Sequence, residues 1–347
     1  GDIGSSIEFN LYNYRQSPIT IDAVQFNTSS FTANTSFPVI IEPLKTGIIN
    51  IGANNNSSGY VEDAMELISD DLPEGISVSL TLEGVEGNVL NGNLSGSIPV
   101  DTYRITGDII VASGDTVYLH AGTEFLFDGE YNFNIYGTLK AIGTESDSII
   151  FDNFDDERWS GFRLEWASDE TEFRYVRISG AEKIEGGGMY LYNSDPTLTN
   201  VTIANNTADY GGGMLLVFSE PTLINSIIWS NSPESIYVYS ATPLITYSDI
   251  QGGWEGEGNI DSDPLFTDPE NDDYRLLASS LCINAGHPDS TDSDGTQADM
   301  GMYPHLNDYS GPDWYVSEDG SDTTGTGAID NPFFSIQGGI NFAETEA

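Results

Sequence analysis

Short apolar runs bounded by polar, Gly-bearing or Pro-bearing turns follow one another along most of the chain, with little helical periodicity. Residues 1 to about 90 carry such runs at Ile7 to Tyr14, Ile19 to Phe26, Val39 to Ile41, Ile48 to Ile51 and Ile76 to Leu82. Alternation with period two buries every second side chain, so a small β-sandwich is expected over 1–98. Around Asn88 to Pro99 the sequence turns to Gly, Asn and Ser, the composition of a linker or broad turn.

From Tyr103 onward the runs Ile109 to Val111, Val117 to Leu119, Phe125 to Phe127, Phe133 to Leu139, Ile149 to Phe151 and Phe162 to Trp166 are each too short for a helix. A repeat then becomes explicit. Gly186-Gly187-Gly188-Met189-Tyr190-Leu191 leads through Asp195-Pro196-Thr197-Leu198-Thr199-Asn200 to Val201-Thr202-Ile203. The same pattern restarts at Gly211-Gly212-Gly213-Met214, and a shorter third copy contains Thr242-Pro243-Leu244-Ile245. Pro196, Pro221 and Pro243 are 25 and 22 residues apart.

A period in the low twenties with three short strands per repeat predicts a β-solenoid, in which no single coil can bury its own apolar face. Stacking closes the core. Residues one period apart then lie above each other, giving the expected ladders Leu191 over Leu216, Thr197 over Thr222, Leu198 over Leu223 and Asn200 over Asn225. The Asn positions tolerate left-handed backbone and can share amide bonds along the stack. The triple glycines suit tight corners. Residues from about 103 to 283 would supply roughly eight coils and a rod on the order of 35 to 40 Å.

Charge narrows the partners. Ten Lys plus Arg face 55 Asp plus Glu, a formal net charge of -45. Nucleic acid and anionic membrane are excluded as partners, because both require Lys and Arg that the chain lacks. Divalent cations or a salty medium fit the charge, as does solubility alone. Cys282 is the single cysteine, which rules out an intrachain disulfide framework and paired-cysteine zinc sites. No apolar run approaches the roughly 20 residues needed to span a bilayer, so no membrane insertion is expected. The opening at Gly1, without Met or a signal-peptide pattern, reads as a mature or excised segment.

Tyr103-Arg104-Ile105-Thr106-Gly107-Asp108, Gly114-Asp115-Thr116-Val117, Tyr136-Gly137-Thr138-Leu139 and Trp159-Ser160-Gly161-Phe162 resemble the opening coils of secreted bacterial right-handed parallel β-helix proteins of the pectate-lyase-like superfamily. The Gly-Gly-Gly coils resemble its polymorphic outer-membrane and adhesin-type members, a non-enzymatic branch. The exit Asp263-Pro264-Leu265-Phe266, Cys282-Ile283-Asn284-Ala285-Gly286 and Asp299-Met300-Gly301 fits the same group. Asn13, Ser17-Pro18-Ile19-Thr20-Ile21 and Ile41-Glu42-Pro43 resemble hydin-like, immunoglobulin-type modules. The resemblance implies an all-β chain: an immunoglobulin-like β-sandwich over 1–98, then a right-handed parallel β-helix with an acidic C-terminal loop region over 99–304. The remainder, 305–347, reads as a linker and the start or cap of a second β-helix, with an amphipathic helix from Phe334 to Ala343. The superfamily holds enzymes and non-enzymes alike, so the resemblance speaks to fold more than activity.

Lyases of this superfamily need calcium-binding carboxylates and an Arg or Lys base on one outer face. Arg163, Arg174, Arg177 and Lys183 are the candidate bases, yet Arg174 and Arg177 have odd spacing and cannot share a face of a regular strand. No Gly-His-Gly element of a polygalacturonase-like hydrolase occurs, and His120, His287 and His305 are isolated. No catalytic residue is therefore expected. The best metal candidates are Asp289, Asp292, Asp294 and Asp299, which crowd a loop around Gly295 and offer hard oxygen ligands suited to calcium. The pattern departs from an EF-hand, because Gly301 stands where a bidentate Glu should be. Asp155, Asp156 and Glu157 form a second acidic loop. Tyr190, Tyr192, Tyr237, Tyr239 and Trp229 fall on neighbouring coils, where aromatic ladders can pack as core or hold sugar rings.

Together these features predict a non-catalytic extracellular or cell-surface protein, structural or adhesive, with head-to-tail self-association into a fibre as a further expectation. A polysaccharide lyase or hydrolase, or a carbohydrate-binding module, is the competing expectation.

Overall fold

The computed structural model describes residues 6–28, 31–53, 59–72, 75–84, 88–155 and 158–343. The chain forms two compact units, Gly1–Val89 and Leu90–Ala347. In the first, Ser6–Tyr12 and Phe31–Ala33 pair antiparallel with Thr46–Ala53, Ile19–Ile21 with Val39–Ile41, and Gly59–Ile68 lies between Ala23–Phe26 and Ile76–Gly84. These small sheets enclose one core containing Ile21, Ile41, Ile49, Ile51, Met65 and Leu67. Asn13, one of the residues behind the resemblance noted above, is buried and donates from Nδ2 to the carbonyls of Ser17 and Ile41 at 2.9 Å each.

The second unit is a parallel β-solenoid. Its strands stack in three ladders. The first runs from the end of Thr102–Val111 through Phe133–Ile135, Phe162–Glu165, Met189–Tyr192 and Met214–Val217 to Ile236–Tyr239. The second includes Thr116–His120, Thr138–Ile142, Thr222–Ile224 and Leu244–Thr246. The third includes Glu124–Phe127, Ile149–Asn153, Ile227–Trp229 and Asp249–Ile250. Two long strands, Glu172–Ser179 and Thr197–Ala204, bend to serve both the second and third ladders.

Register follows the expected repeat. Leu191 pairs with Leu216, Thr197 with Thr222 and Leu198 with Leu223. Inward-facing residues are sealed in one continuous core from Leu94 to Ile250, so each fully buried Leu, Ile or Phe contributes about 1.5–3 kcal/mol of hydrophobic stabilisation. Early coils carry an aromatic stack: Phe125 on Phe151 at 5.3 Å, Phe133 on Phe162 at 5.1 Å and Phe127 on Trp159 at 4.2 Å between ring centroids.

The triple glycines have two distinct reasons. Gly186 and Gly211 take positive φ, at 65° and 64°. Gly187 and Gly212 are closed in by backbone, since a Cβ would lie 2.5 Å from Gly212 O and 2.3 Å from Ser232 O respectively.

Two expectations are corrected. The stack has about six turns, not eight, because the chain leaves the ladders after Ile250 and forms a separate antiparallel pair, Phe266–Asp268 with Asp273–Leu276. The shared Asn amide bond also sits elsewhere. Asn206 Nδ2 donates to Asn231 Oδ1 at 3.0 Å, whereas Asn200 Nδ2 donates to Asp299 O and Gly301 O, both at 3.1 Å.

Residues 265–343 fold against the side of the solenoid. Leu276, Cys282, Ile283, Met300, Phe333 and Phe342 share a cluster with Ile227. The helix spans Ile336–Ala343, and Asn341 Nδ2 holds it down by donating to Ala278 O and Ser280 O at 2.9 and 2.7 Å. The segment read from sequence as a linker and second β-helix entry thus lies in the same compact unit as the solenoid.

Candidate functional site

The acidic exit segment is strapped across four successive coils. Ser293 N donates to Glu145 Oε2 at 3.1 Å, Arg177 Nη1 to Asp272 O at 2.9 Å, Met302 N to Thr202 Oγ1 at 3.1 Å and His287 N to Asn225 Oδ1 at 2.7 Å. Asn200 and Asn225, in left-handed backbone at the bend between second and third ladders, are its main anchors.

This placement sets the hydrogen bonds of three of the four candidate calcium ligands. Asp299 is fully buried and accepts from Asn284 N and His305 N at 2.6 Å each, while burial raises its carboxyl well above the usual range. Asp292 is 4% exposed; its Oδ2 accepts from Asp299 N at 2.9 Å, and burial pushes its pKa up to about 7. Asp294 accepts from Thr296 N and Oγ1 through Oδ1 and from Asn307 N through Oδ2. Asp289 is exposed. Three of the four therefore organise backbone N–H groups, and among the described residues no three His, Cys, Asp or Glu side chains converge to hold a metal ion. One oxygen in the cluster, Asp292 Oδ1, is buried without a hydrogen-bond partner. Asp156 and Glu157 of the second acidic loop lie outside the described residues, and Asp155 is exposed.

The isolated histidines have ordinary partners. His120 Nε2 meets Ser97 Oγ at 2.7 Å, and His287 packs edge-on to Tyr247 with centroids 4.7 Å apart. His305 is held below its usual pKa by burial, with Nδ1 2.9 Å from Leu276 O.

Most cations of the second unit are engaged by acids. Arg104 lies 2.6 Å from Asp128, Lys140 3.4 Å from Glu172, Arg163 2.7 Å from Glu165, Arg174 4.0 Å from Glu172 and Arg275 2.6 Å from Asp273. Arg177 forms a buried pair with Asp152 at 2.7 Å. Burial nonetheless holds the Asp152 carboxyl above its usual range, outweighing the guanidinium. Two cations differ: Arg158 donates to Asn205 O at 3.3 Å and Lys183 to Ser160 Oγ at 3.2 Å. Both line a groove of about 590 Å³ with Glu130, Glu182 and Asp209, at the turns between third and first ladders. The sequence pointed to Lys183 but not to Arg158, which follows an acidic loop and belongs to no periodic segment.

The five aromatic candidates divide. Tyr192 and Tyr239 are outward residues of the first ladder, both paired with Val217. Tyr190 lies under Arg163, whose guanidinium is 4.2 Å from the ring centroid, and Tyr237 packs against Tyr210 at 5.6 Å. Trp229 packs against the exit cluster. No helix among the described residues is long and apolar enough to cross a membrane. No protein family, curated protein or solved structure matches the chain.

Proposed function

We propose that this chain is a non-catalytic extracellular or cell-surface protein in which the solenoid serves as a rigid, adhesive spacer. The observation that carries the reading is the unbroken parallel register of the three ladders between Gly96 and Ile250, with its single continuous core. A fold whose hydrogen bonds run along its axis suits a stiff spacer. The ion pairs of Arg104, Lys140, Arg163 and Arg174 agree with it, because these solenoid cations are consumed in charge balance on an acidic surface.

Self-association and calcium belong to the same proposal. Phe334, Ile336 and Ile340 are exposed around the C-terminal helix and offer apolar contact to a neighbouring chain. Calcium has one feature in its favour, the unpartnered Asp292 Oδ1. The test of the whole reading is incubation with uronic-acid and neutral polysaccharides, with and without calcium, followed by unsaturated-product absorbance and reducing-end assays. No turnover is expected.

The groove at Arg158 and Lys183 favours a second reading, a polysaccharide lyase or hydrolase, since among the described residues it sets two cations outside carboxylate pairs beside three acids. Turnover that disappears in Lys183→Ala and Arg158→Ala would replace the first reading with this one.

A further inference from the structure

Each first-ladder strand from the fourth coil back to its last ends in one residue with left-handed backbone before the chain bends into the second ladder. These residues are Trp166, Asn193, Phe218 and Ser240, at φ 54°, 45°, 52° and 53°. The conformation is cheapest for Gly and Asn and unfavourable for bulky side chains, so Asn193 is the residue expected there and Trp166 and Phe218 are not. The bend itself does not need them. It is held inside by serines: Ala167 N donates to Ser194 Oγ at 3.0 Å and Ser194 N to Ser219 Oγ at 3.1 Å.

Both aromatic side chains face water, Trp166 at 69% and Phe218 at 49% exposure. They are linked by the outward tyrosines into one row. Trp166 meets Tyr192 with centroids 5.7 Å apart, Tyr192 meets Phe218 at 6.1 Å, and Phe218 meets Tyr239 at 5.7 Å, all edge-to-face. Tyr239 is 58% exposed. Four rings on four successive coils therefore form an exposed aromatic edge parallel to the solenoid axis. Along the bend the side chains alternate between ring and polar group: Trp166, Asn193, Phe218, Ser240. At ~4.8 Å per coil this alternation repeats every ~9.6 Å, about the length of a disaccharide unit.

We infer that this edge binds an uncharged glycan chain lying along the solenoid axis, with pyranose faces against Trp166 and Phe218 and ring hydroxyls toward Asn193 and Ser240. Aromatic rings recognise the apolar faces of sugars, while amide and hydroxyl groups between them satisfy the equatorial hydroxyls. Charge selects the class. Glu165 is ion-paired with Arg163, and Asp195 and Glu220 are exposed beside the edge, so anionic glycans meet repulsion. At this edge a second copy would bring further carboxylates against Asp195 and Glu220, unlike the apolar contact offered at the C-terminal helix. Exposed rings in strained backbone, repeated at every second coil and unnecessary for the bend, are the features that separate this edge from incidental surface apolarity.

The inference deepens the adhesive reading by naming its ligand class, and it rests on the binding part of that reading alone. The test uses the full chain in native gels cast with soluble uncharged glycans (xyloglucan, glucomannan, mixed-linkage β-glucan), with polygalacturonate and heparin as anionic comparators. Trp166→Asn and Phe218→Asn are the informative variants, because Asn accepts left-handed backbone and the fold is kept; Tyr210→Ala removes an exposed ring from another bend. Retardation by at least one uncharged glycan is expected, weakened about tenfold by either Asn variant and unchanged by Tyr210→Ala. Absence of retardation by every uncharged glycan, retardation only by the anionic polymers, or full binding in the Trp166→Asn/Phe218→Asn double variant would overturn it. So would a change from dimer to monomer in that double variant, which would assign the edge to a second copy. Hydrolysis or eliminative cleavage of the bound glycan would instead sink the non-catalytic reading and leave the edge as a glycan site.

Discussion

The backbone N–H of His287 donates to Asn225 Oδ1 at 2.7 Å across 62 residues of sequence. That bond ties the acidic exit segment to the solenoid. Gly301 N reinforces it at the same residue by donating to Asn225 O at 2.8 Å. Replacing Asn225 by Ala orphans the half-buried N–H of His287 and removes a residue suited to its left-handed backbone, so a loss of about 1–3 kcal/mol is expected. Limited proteolysis should show it as new cleavage between 287 and 301, while the solenoid stays resistant.

A larger effect is expected at Arg177. Its pair with Asp152 is buried at both ends, and the guanidinium also lies over the Tyr274 ring, 5.0 Å from the centroid. Arg177→Met leaves the Asp152 carboxylate without its partner and should destabilise the second unit by about 3–5 kcal/mol. Arg177→Met combined with Asp152→Leu should recover most of that loss, because the desolvation of both charges disappears. Chemical denaturation of the three proteins measures this directly.

Acid should stabilise the second unit. Burial raises Asp249 to about 6 and Asp292 to about 7, both from 3.8. The folded chain thus holds these protons more tightly than the unfolded chain does. Their stabilising effect is complete below about pH 4 and is lost as pH rises through 6 and 7. The melting temperature should fall between pH 5 and pH 8, and Asp249→Asn should flatten that slope and raise the melting temperature at pH 8. A slope unaltered by Asp249→Asn, but abolished by salt, would trace it to general repulsion among the acids.

Gly212→Ala tests the coil spacing at one atom. The new Cβ would stand 2.3 Å from Ser232 O in the next coil, and backbone cannot rotate aside. Destabilisation of several kcal/mol is expected, while Gly295→Ala, at φ 90° but with open space around it, should cost only about 1 kcal/mol. Thermal melts of the two variants compare steric closure with backbone strain.

The ladders were legible because stacking converts sequence period into contact: Leu198 and Leu223 carry the same residue at the same place in consecutive repeats. Coil count was less legible. Spacings between register partners drift, with Ala141 pairing with Phe173, 32 residues on, and the apolar runs after Ile250 look like strands without joining the stack. The role of the exit aspartates was hidden for another reason. Asp292 and Asp294 alternate before Gly295 as calcium ligands can, while the backbone N–H groups that Asp292, Asp294 and Asp299 serve come from residues up to 15 positions away. Trp166 and Phe218 form no visible sequence pattern because the repeat places Asn193 between them, so no two successive coils carry an aromatic at that position.

The stack itself is tested most directly by paired cysteines on the outward second-ladder face, in a Cys282→Ser background. Thr197 pairs with Thr222, and Thr222 with Leu244. Dibromobimane, which fluoresces on bridging two neighbouring thiols, should light up Thr197→Cys/Thr222→Cys and Thr222→Cys/Leu244→Cys and leave Thr197→Cys/Leu244→Cys, two coils apart, dark. Bridging in the last pair, or none in the first two, would contradict the solenoid.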